Sequence, residues 1–526
     1  MKTLSITEFG GPLTRRNDGD INSGLAKFDT SWGYDPFSKP GNLTWFEQPT
    51  SILTVVNNTV VAAKERFESG TTQWVYAVDT GGTLYKFRPN GVGTPNLDTT
   101  SVIGSLNTSS TIGLQYGGSM EFFGATEKIY VGGSNHVKSV NFNGSGDAIV
   151  GDQANYTQNV FRPLKKFLGK LFFGNDTNTG SIDSTGTVVS SVVSAHYEDI
   201  NPGLPRGIHV SDIDASSDGN YLTIAASGVP NETFNEERPM AASSKGEVFF
   251  YNGIDAGISA FNTYPALPAK AIKTHSQKSL LFAGDTFGGL VFDGTKKLFT
   301  LPNNRPPRAG AVLSNGNMVS WMNPEYNGSN LVGSLYYYGQ LDDDSKGGLY
   351  RLLRYSSGLT NGHVRSVPLN ILVNNDFSGL DSTTSSVVAY SYGKHYFSTE
   401  EIASGTTRNT VQRFLITPSG TGSVVGGVYE TQNQLFSKKI KLGEVRFYTE
   451  PLVADNSFSI GLLNSASSVV ASNTYTVGTN VTAGEDLVRW TPPVAPTYSL
   501  GFRITNLGSA NWVGTKVEAD INEGGS

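Results

Sequence analysis

The stretch Lys278–Gly294, KSLLFAGDTFGGLVFDG, sets the strongest limit on what this chain can become. It reads strand, tight turn, strand. Leu280, Leu281 and Phe282 form a short apolar run, and Leu290, Val291 and Phe292 begin the return strand. Asp285, Gly288 and Gly289 supply the turn, because glycine adopts positive φ without strain and aspartate bonds its own backbone. A single hairpin cannot bury its apolar face and is marginal in water. The unit must therefore stack on others, and the chain provides them. Residues 73–89, QWVYAVDTGGTLYKFRP, repeat it with a turn at Asp79-Thr80-Gly81-Gly82. Looser versions follow at 127–144, 169–186, 217–228 with a partner at 246–253, 316–322 with 334–354, and 393–401. Tyr76, Tyr130, Phe172, Leu222, Phe282, Val319 and Tyr396 mark the central strands. Their steps are roughly 40–60 residues, with one longer, which is the range of four-stranded propeller blades. The expectation is an all-β chain with a β-propeller of about seven blades over 51–425 and almost no helix.

Two flanking regions differ. The opening carries a strand at Leu4–Phe9 and then AKFDTSWGYDPFSKPGNLTW, residues 26–45. That stretch mixes aromatic rings with glycine and proline breakers, so it reads as an ordered loop packed by its own rings; flexible linkers are poor in aromatics. Residues 1–50 are expected to pack on the propeller. At 417–428 the composition turns to Gly, Ser and Thr, a domain boundary. Beyond it, 426–526 alternate apolar and polar residues in six strands, Lys439–Phe447, Ser457–Leu463, Ser468–Tyr475, Leu487–Trp490, Leu500–Thr505 and Val513–Ile521. That pattern predicts a C-terminal antiparallel β-sandwich.

Composition narrows the function classes. The formal net charge is −6 and only 16% of residues are charged, so nucleic acid is not the expected ligand, since phosphate neutralisation needs a basic face. With no cysteine, thiolate metal sites, disulfides and cysteine nucleophiles are excluded together. The opening MKTLSITEFGGPL has one lysine and no apolar h-region, so no signal peptide is expected, and no run of about 18 apolar residues suggests a membrane span.

No catalytic, cofactor-binding or metal-binding residue is assigned from the sequence. Asp342-Asp343-Asp344 could hold Ca²⁺, but the alternating acidic loop and distal glutamate are missing, so a solvated turn is expected. The histidines, 136, 196, 209, 275, 363 and 395, lack ligand spacing except weakly His196 with Glu198. Gly117-Gly118 and Gly132-Gly133 read as turns, not phosphate cradles. A sialidase-like site would need three converging arginines from Arg206, Arg238, Arg305, Arg308, Arg351 and Arg354. The 26–45 loop and Tyr336-Tyr337-Tyr338 could stack on sugars, although aromatic rings at such positions more often pack blades.

Resemblances add to this reading. Ser217-Asp218-Gly219-Asn220-Tyr221-Leu222 resembles a turn-and-strand repeat seen in many unrelated propellers, which bears on architecture alone. The stretch GLAKFDTSWGYDPFSKPGNLTW is similar to the opening of propeller-type virion proteins of tailed bacteriophages. GGVYETQNQLFSKKIKLGEVRFYTEPL, residues 426–452, resembles the sandwich that follows the propeller in some of them. The resemblance implies a non-enzymatic tail- or capsid-associated virion component. It would fold in a host cytoplasm, be released by lysis and assemble with copies of itself and other virion proteins. That reading predicts no convergent acid–base cluster on the propeller axis. The alternative is a carbohydrate-binding or glycan-cleaving propeller acting on host-surface glycans, which predicts an aromatic-lined pocket with paired carboxylates or an arginine cluster.

Overall fold

The structure is a computed structural model. It describes strands between Lys2 and Glu523 with many of their turns, and for the strands of 260–415 the backbone alone; connections such as 10–27, 194–208, 228–245, 341–346, 355–363, 370–388 and 416–425 lie outside the described residues. The described residues contain strands and no helix.

Seven antiparallel sheets follow one another along the chain. Blade 1 is built from Val60–Ser69, Thr72–Asp79, Thr83–Pro89 and Leu97–Ser105; blade 2 from Ser119–Phe123, Lys128–Gly132, His136–Phe142 and Ala148–Asn155; blade 3 from Leu164–Phe167, Lys170–Asn175, Asn178–Ile182 and Val188–Val193. Blade 4 comprises His209–Ala215, Leu222–Ser227, Gly246–Tyr251 and Ala260–Tyr264, and blade 5 Ala269–His275, Lys278–Asp285, Gly288–Asp293 and Lys296–Thr300. Blade 6 runs Met318–Ser320, Ser334–Gln340, Gly347–Arg354, Val364–Leu369, with Arg308–Ala309 added parallel on its inner edge. Blade 7 takes Ala389–Ser391, Lys394–Ala403 and Thr406–Leu415 from late in the chain and its fourth strand, Thr50–Val56, from before blade 1.

The first strands of successive blades touch. Val60–Ser69 lies against Ser119–Phe123, which lies against Leu164–Phe167, and the contacts continue through His209–Ala215 and Ala269–His275 to Arg308–Ala309. Ala389–Ser391 of blade 7 returns to Val60–Ser69. Blade 7 is thus tied back to the start of the ring both by this inner-strand contact and by the strand it borrows. This is a seven-bladed β-propeller. Each of the seven residues marked in the sequence falls on the second strand of its sheet.

Blade stacking explains why those second strands are apolar runs and not alternating ones. A strand covered on both faces has no wet side. Ile129 and Val131 of blade 2 face Tyr76, Val78 and Leu84 of blade 1, while Tyr130 between them joins Leu171 and Phe173 of blade 3. Phe172, between those two, packs with Val210, Ile224 and Phe249 of blade 4. Each such side chain is worth about 1.5–3 kcal/mol of burial. Gly180 shows how tightly the strands fit, because a Cβ there would lie 2.1 Å from Cζ of Phe173. The turn that opens the repeat is fixed by a buried carboxylate: Thr83 N donates to Asp79 Oδ1 (2.9 Å), Tyr85 Oη donates to Oδ2 (2.7 Å), and Gly82 holds φ 80°. Burial, then the Asp79 bond and charge, push the Tyr85 hydroxyl far above its usual titration range.

The second module is one nine-stranded antiparallel sheet folded into two layers. One layer holds Lys2–Ile6, Gly514–Glu523, which pairs along its length with residues 440–449 of the long strand Gln434–Thr449, and Leu487–Trp490. The other holds Phe28–Trp32, Val428–Thr431, Thr497–Asn506, Ser457–Leu463 and Val469–Thr476. Gln434–Thr449 joins the layers, pairing Gln434 with Leu500 before it turns to the other side. Between the layers Phe447, Phe458 and Trp512 form a ring cluster with centroids 4.7–5.8 Å apart, and Trp512 Nε1 donates to Asn506 Oδ1 (2.7 Å). A buried indole needs such a partner.

The N-terminal stretch corrects one expectation. The described residues of 1–50 pair and pack with the C-terminal sheet, although Phe28–Trp32 also lies against Val364–Leu369 of blade 6. Lys2–Ile6 pairs with Gly514–Glu523, Phe28–Trp32 pairs with Val428–Thr431, and Leu43 bridges to Gly514. The rings of the loop are not packed by one another alone either: Tyr34 lies edge-on to Tyr429 (5.0 Å) and Trp45 against Trp512 (5.5 Å), with Phe9, Tyr34, Leu43 and Trp45 all in the sandwich core. The apolar area that buries them is offered by strands written at the other end of the chain. The first strand also sits at Lys2–Ile6 and not at Leu4–Phe9. The propeller is thus an insertion between two strands, Phe28–Trp32 and Val428–Thr431, that pair with each other.

Candidate functional site

The innermost strands of blades 1 to 4 each place a charged residue within an apolar run: Lys64 opposite Tyr76, Glu121 opposite Tyr130, Lys165 opposite Phe172 and Asp214 opposite Thr223. Their signs alternate from blade to blade. Lys64 Nζ meets Glu121 Oε2 at 3.1 Å, and Lys165 Nζ meets Asp214 Oδ1 at 2.5 Å. Glu121 and Asp214 are buried, whereas the two lysine side chains keep about a third of their surface in water. Glu121 also accepts a bond from Phe122 N at 3.2 Å. Burial works against the Lys165 ammonium, but Asp214, Glu121 and Asp212 outweigh it and hold its pKa above the ordinary lysine value.

This ladder was not foreseen from the sequence, and charged groups do converge near the axis. Its chemistry is that of a zipper. General acid–base work at neutral pH calls for a group tuned toward 7, and Lys165 is tuned the other way. Opposite charges pair across the boundaries between blades 1 and 2 and between blades 3 and 4. The signal was present in VVAAKERF, SMEFF, PLKKF and SDIDA, each with one or more charges beside apolar residues of an inner strand.

Other candidates separate. Asp342–Asp344, His196, Glu198, His363, Arg206, Arg238 and Arg305 lie outside the described residues. Arg308 is on the inner edge of blade 6 and Arg351 on its fourth strand, three strand spacings away, or about 14 Å; their backbones do not bring them together. Arg354 ends that same fourth strand, and Tyr336–Tyr338 lie on the third, an interior position. His136 and His209 are half-buried on different blades, His275 is on the first strand of blade 5 and His395 on blade 7. Among the described residues no group of three or more His, Cys, Asp or Glu is placed to hold a metal ion, and no helix is long and apolar enough to cross a membrane. Gly132 and Gly133 are close-packing positions, since a Cβ would come within 2.4 Å of Arg162 O and 2.5 Å of Ile112 Cγ1 respectively. Tyr34 and Trp45 of the aromatic loop are core residues and offer no platform to a sugar.

The sandwich carries its own charged face. Arg446 meets Asp520 (2.7 Å) and Glu518 (3.3 Å), Arg489 meets Glu444 (3.0 Å), Lys516 pairs with Glu518, and Tyr448 Oη donates to Glu518 (2.9 Å). Lys516, then Tyr448 and Arg446, hold the Glu518 carboxyl below its usual range. Here too each charge has an opposite neighbour.

No family model matches the chain, and no curated protein does. Among solved structures, it is similar to the Pan2 WD40 domain of Neurospora crassa, at 13% identity over 71% of this chain and 98% of that one, with a TM-score of 0.36. It is also similar to the extracellular domain of a putative hybrid two-component system from B. thetaiotaomicron, at 10% identity over 88% of this chain and 55% of that one, with a TM-score of 0.39. Neither description concerns a virion. The propeller is read from this chain's own sheet order and closing blade.

Proposed function

We propose that this chain is a non-enzymatic structural component of a bacteriophage virion, tail- or capsid-associated, present in multiple copies and in contact with other virion proteins. One observation carries the reading. The two stretches that resemble virion proteins, 24–45 and 426–452, are far apart in sequence, yet Phe28–Trp32 and Val428–Thr431 from within them are paired strands of one sheet. They form the root from which the propeller departs and to which it returns. A ring rooted in this way by both its ends suits a part that transmits load between neighbours. The paired charges of the inner ladder fit the same reading, because they join neighbouring blades.

The test is direct. Antibody labelling and cryo-electron microscopy of purified particles from the phage encoding this chain should find it in fixed multiple copies on intact virions. Its absence from washed particles overturns the reading. So does a purified chain that cleaves a host-surface glycan by itself, which would favour the glycan-acting alternative.

A further inference from the structure

The outer strands of an open sheet carry backbone groups on their far side, and another chain can pair there. The nine-stranded sheet of the sandwich has four such strands, Lys2–Ile6, Phe28–Trp32, Leu487–Trp490 and Val469–Thr476. Phe28–Trp32 lies against Val364–Leu369 of blade 6. Leu487–Trp490 is four residues long, and Tyr475 Oη from the other layer donates to Arg489 O (3.1 Å). Lys2–Ile6 spans five residues and opens on a lysine. Val469–Thr476, VVASNTYT, is the outer strand whose composition invites pairing. It has no charge and no proline, and half of its residues are β-branched. Val469 is 38% exposed and Val470 53%. An uncharged segment of this kind on an edge is a template for another strand.

Its outward backbone groups are nevertheless occupied. Thr476 N donates to Asn480 Oδ1 (2.7 Å), and Asn480 Nδ2 donates to Thr474 O (2.7 Å). Thr476 O accepts from Thr479 N (3.0 Å) and Asn480 N (3.1 Å), and Thr474 N donates to Asn473 Oδ1 (3.1 Å). An amide that accepts from one residue and donates to the residue two before it does what a residue of a neighbouring strand would do. The turn that carries Asn480 is itself fixed. Gly478 holds φ 85° and its N donates to the O of buried Val481 (2.9 Å). At the other end of the strand the register steps from Ala471 to Val469 and leaves Val470 out, a bulge that interrupts the edge. Ser472 is the outward residue left between the bulge and the asparagines.

We infer that Asn480, assisted by Asn473, closes this edge against strand addition and so keeps the sandwich of one copy from zipping onto that of another. Lysine or proline commonly guards an edge; here a side-chain amide occupies the groups themselves. The inference concerns a surface kept out of contact, and it holds whatever role the chain has.

The experiment compares full-length wild type, N473A/N480A and S472K/N473A/N480A by sedimentation velocity over a range of concentrations, with hydrogen exchange read at residues 469–476. Removing the two amides leaves Thr476 N, Thr474 O and Thr474 N open to another strand. The double variant should associate about tenfold or more tightly than wild type, and exchange at 469–476 should slow as its concentration rises. S472K should return it to wild-type behaviour, because a lysine on an outer strand opposes pairing. That rescue separates edge pairing from a loosened turn, since a partly unfolded variant that aggregates gains nothing from the lysine. A double variant that sediments as wild type does overturns the inference. So does association that S472K fails to reverse, or new protection that appears elsewhere than at 469–476. The presence of the chain on particles is a separate measurement, so the failure of either reading leaves the other standing.

Discussion

The propeller and the sandwich bury their apolar residues in opposite ways. In blades 1 to 4 of the propeller each described core is shared by two neighbours in sequence: Ile129 with Tyr76, Tyr130 with Phe173, Phe172 with Ile224. In the sandwich one core gathers Phe9, Tyr34 and Trp45 from the start, Tyr429 to Val488 from the middle, and Trp512 from near the end. Damage to a propeller core should stay local, as in other stacked repeats, whereas damage to the sandwich core should be felt across the whole module. Charges follow the same division. Propeller ladder charges knit adjacent units, and the sandwich keeps its charged network on the outer side of one layer.

The largest expected effect tests that contrast most sharply. Trp45→Ala removes a fully buried ring and should cost about 3–5 kcal/mol. Calorimetry should show the sandwich transition dropping while the propeller transition holds. If both fall together, the modules unfold as one body and the contrast fails. Next comes Gly180→Ala, which drives a methyl group into the Phe173 ring and should cost about 1–3 kcal/mol. Hydrogen exchange should speed in blades 2 and 3 and remain unchanged in the sandwich.

The ladder gives a smaller effect, with a direction fixed by pH. The folded pKa of Lys165 is raised, so its contribution is fully present below the unfolded lysine value, about 10.4, and is lost as pH rises through the folded value. Melting curves above that pH should fall more steeply for wild type than for Lys165→Met. Equal slopes would mean that the ladder does not join the blades. The smallest effect belongs to the exposed Lys39–Glu450 pair (2.6 Å), which ties the loop to the sandwich. Lys39→Ala should cost no more than about 1 kcal/mol, and the difference should vanish at high salt.

What the sequence made legible follows from the same contrast. Strands buried on both faces leave unbroken apolar runs, and Val75–Val78, Ile129–Val131 and Leu171–Phe173 could be recognised and counted. Turns such as Asp79–Gly82 announced themselves through glycine. The seat of the N-terminal loop could not be read, because nothing local to Tyr34 or Trp45 says that Tyr429 and Trp512 will cover them. The inner ladder was missed for a related reason: Lys64 and Glu121 are unremarkable until the register sets them opposite each other across a blade boundary.

The partnership of Trp45 with Trp512 also has a consequence in time. A ribosome advancing at roughly 5–20 residues per second takes on the order of half a minute or more to travel from one to the other. Throughout that interval the early rings have nowhere to go, while blade after blade can close behind the tunnel exit. The nascent chain thus spends most of its synthesis with a wheel still adding blades and an unfinished hub mount, and it is in that window that a holdase would find its grip.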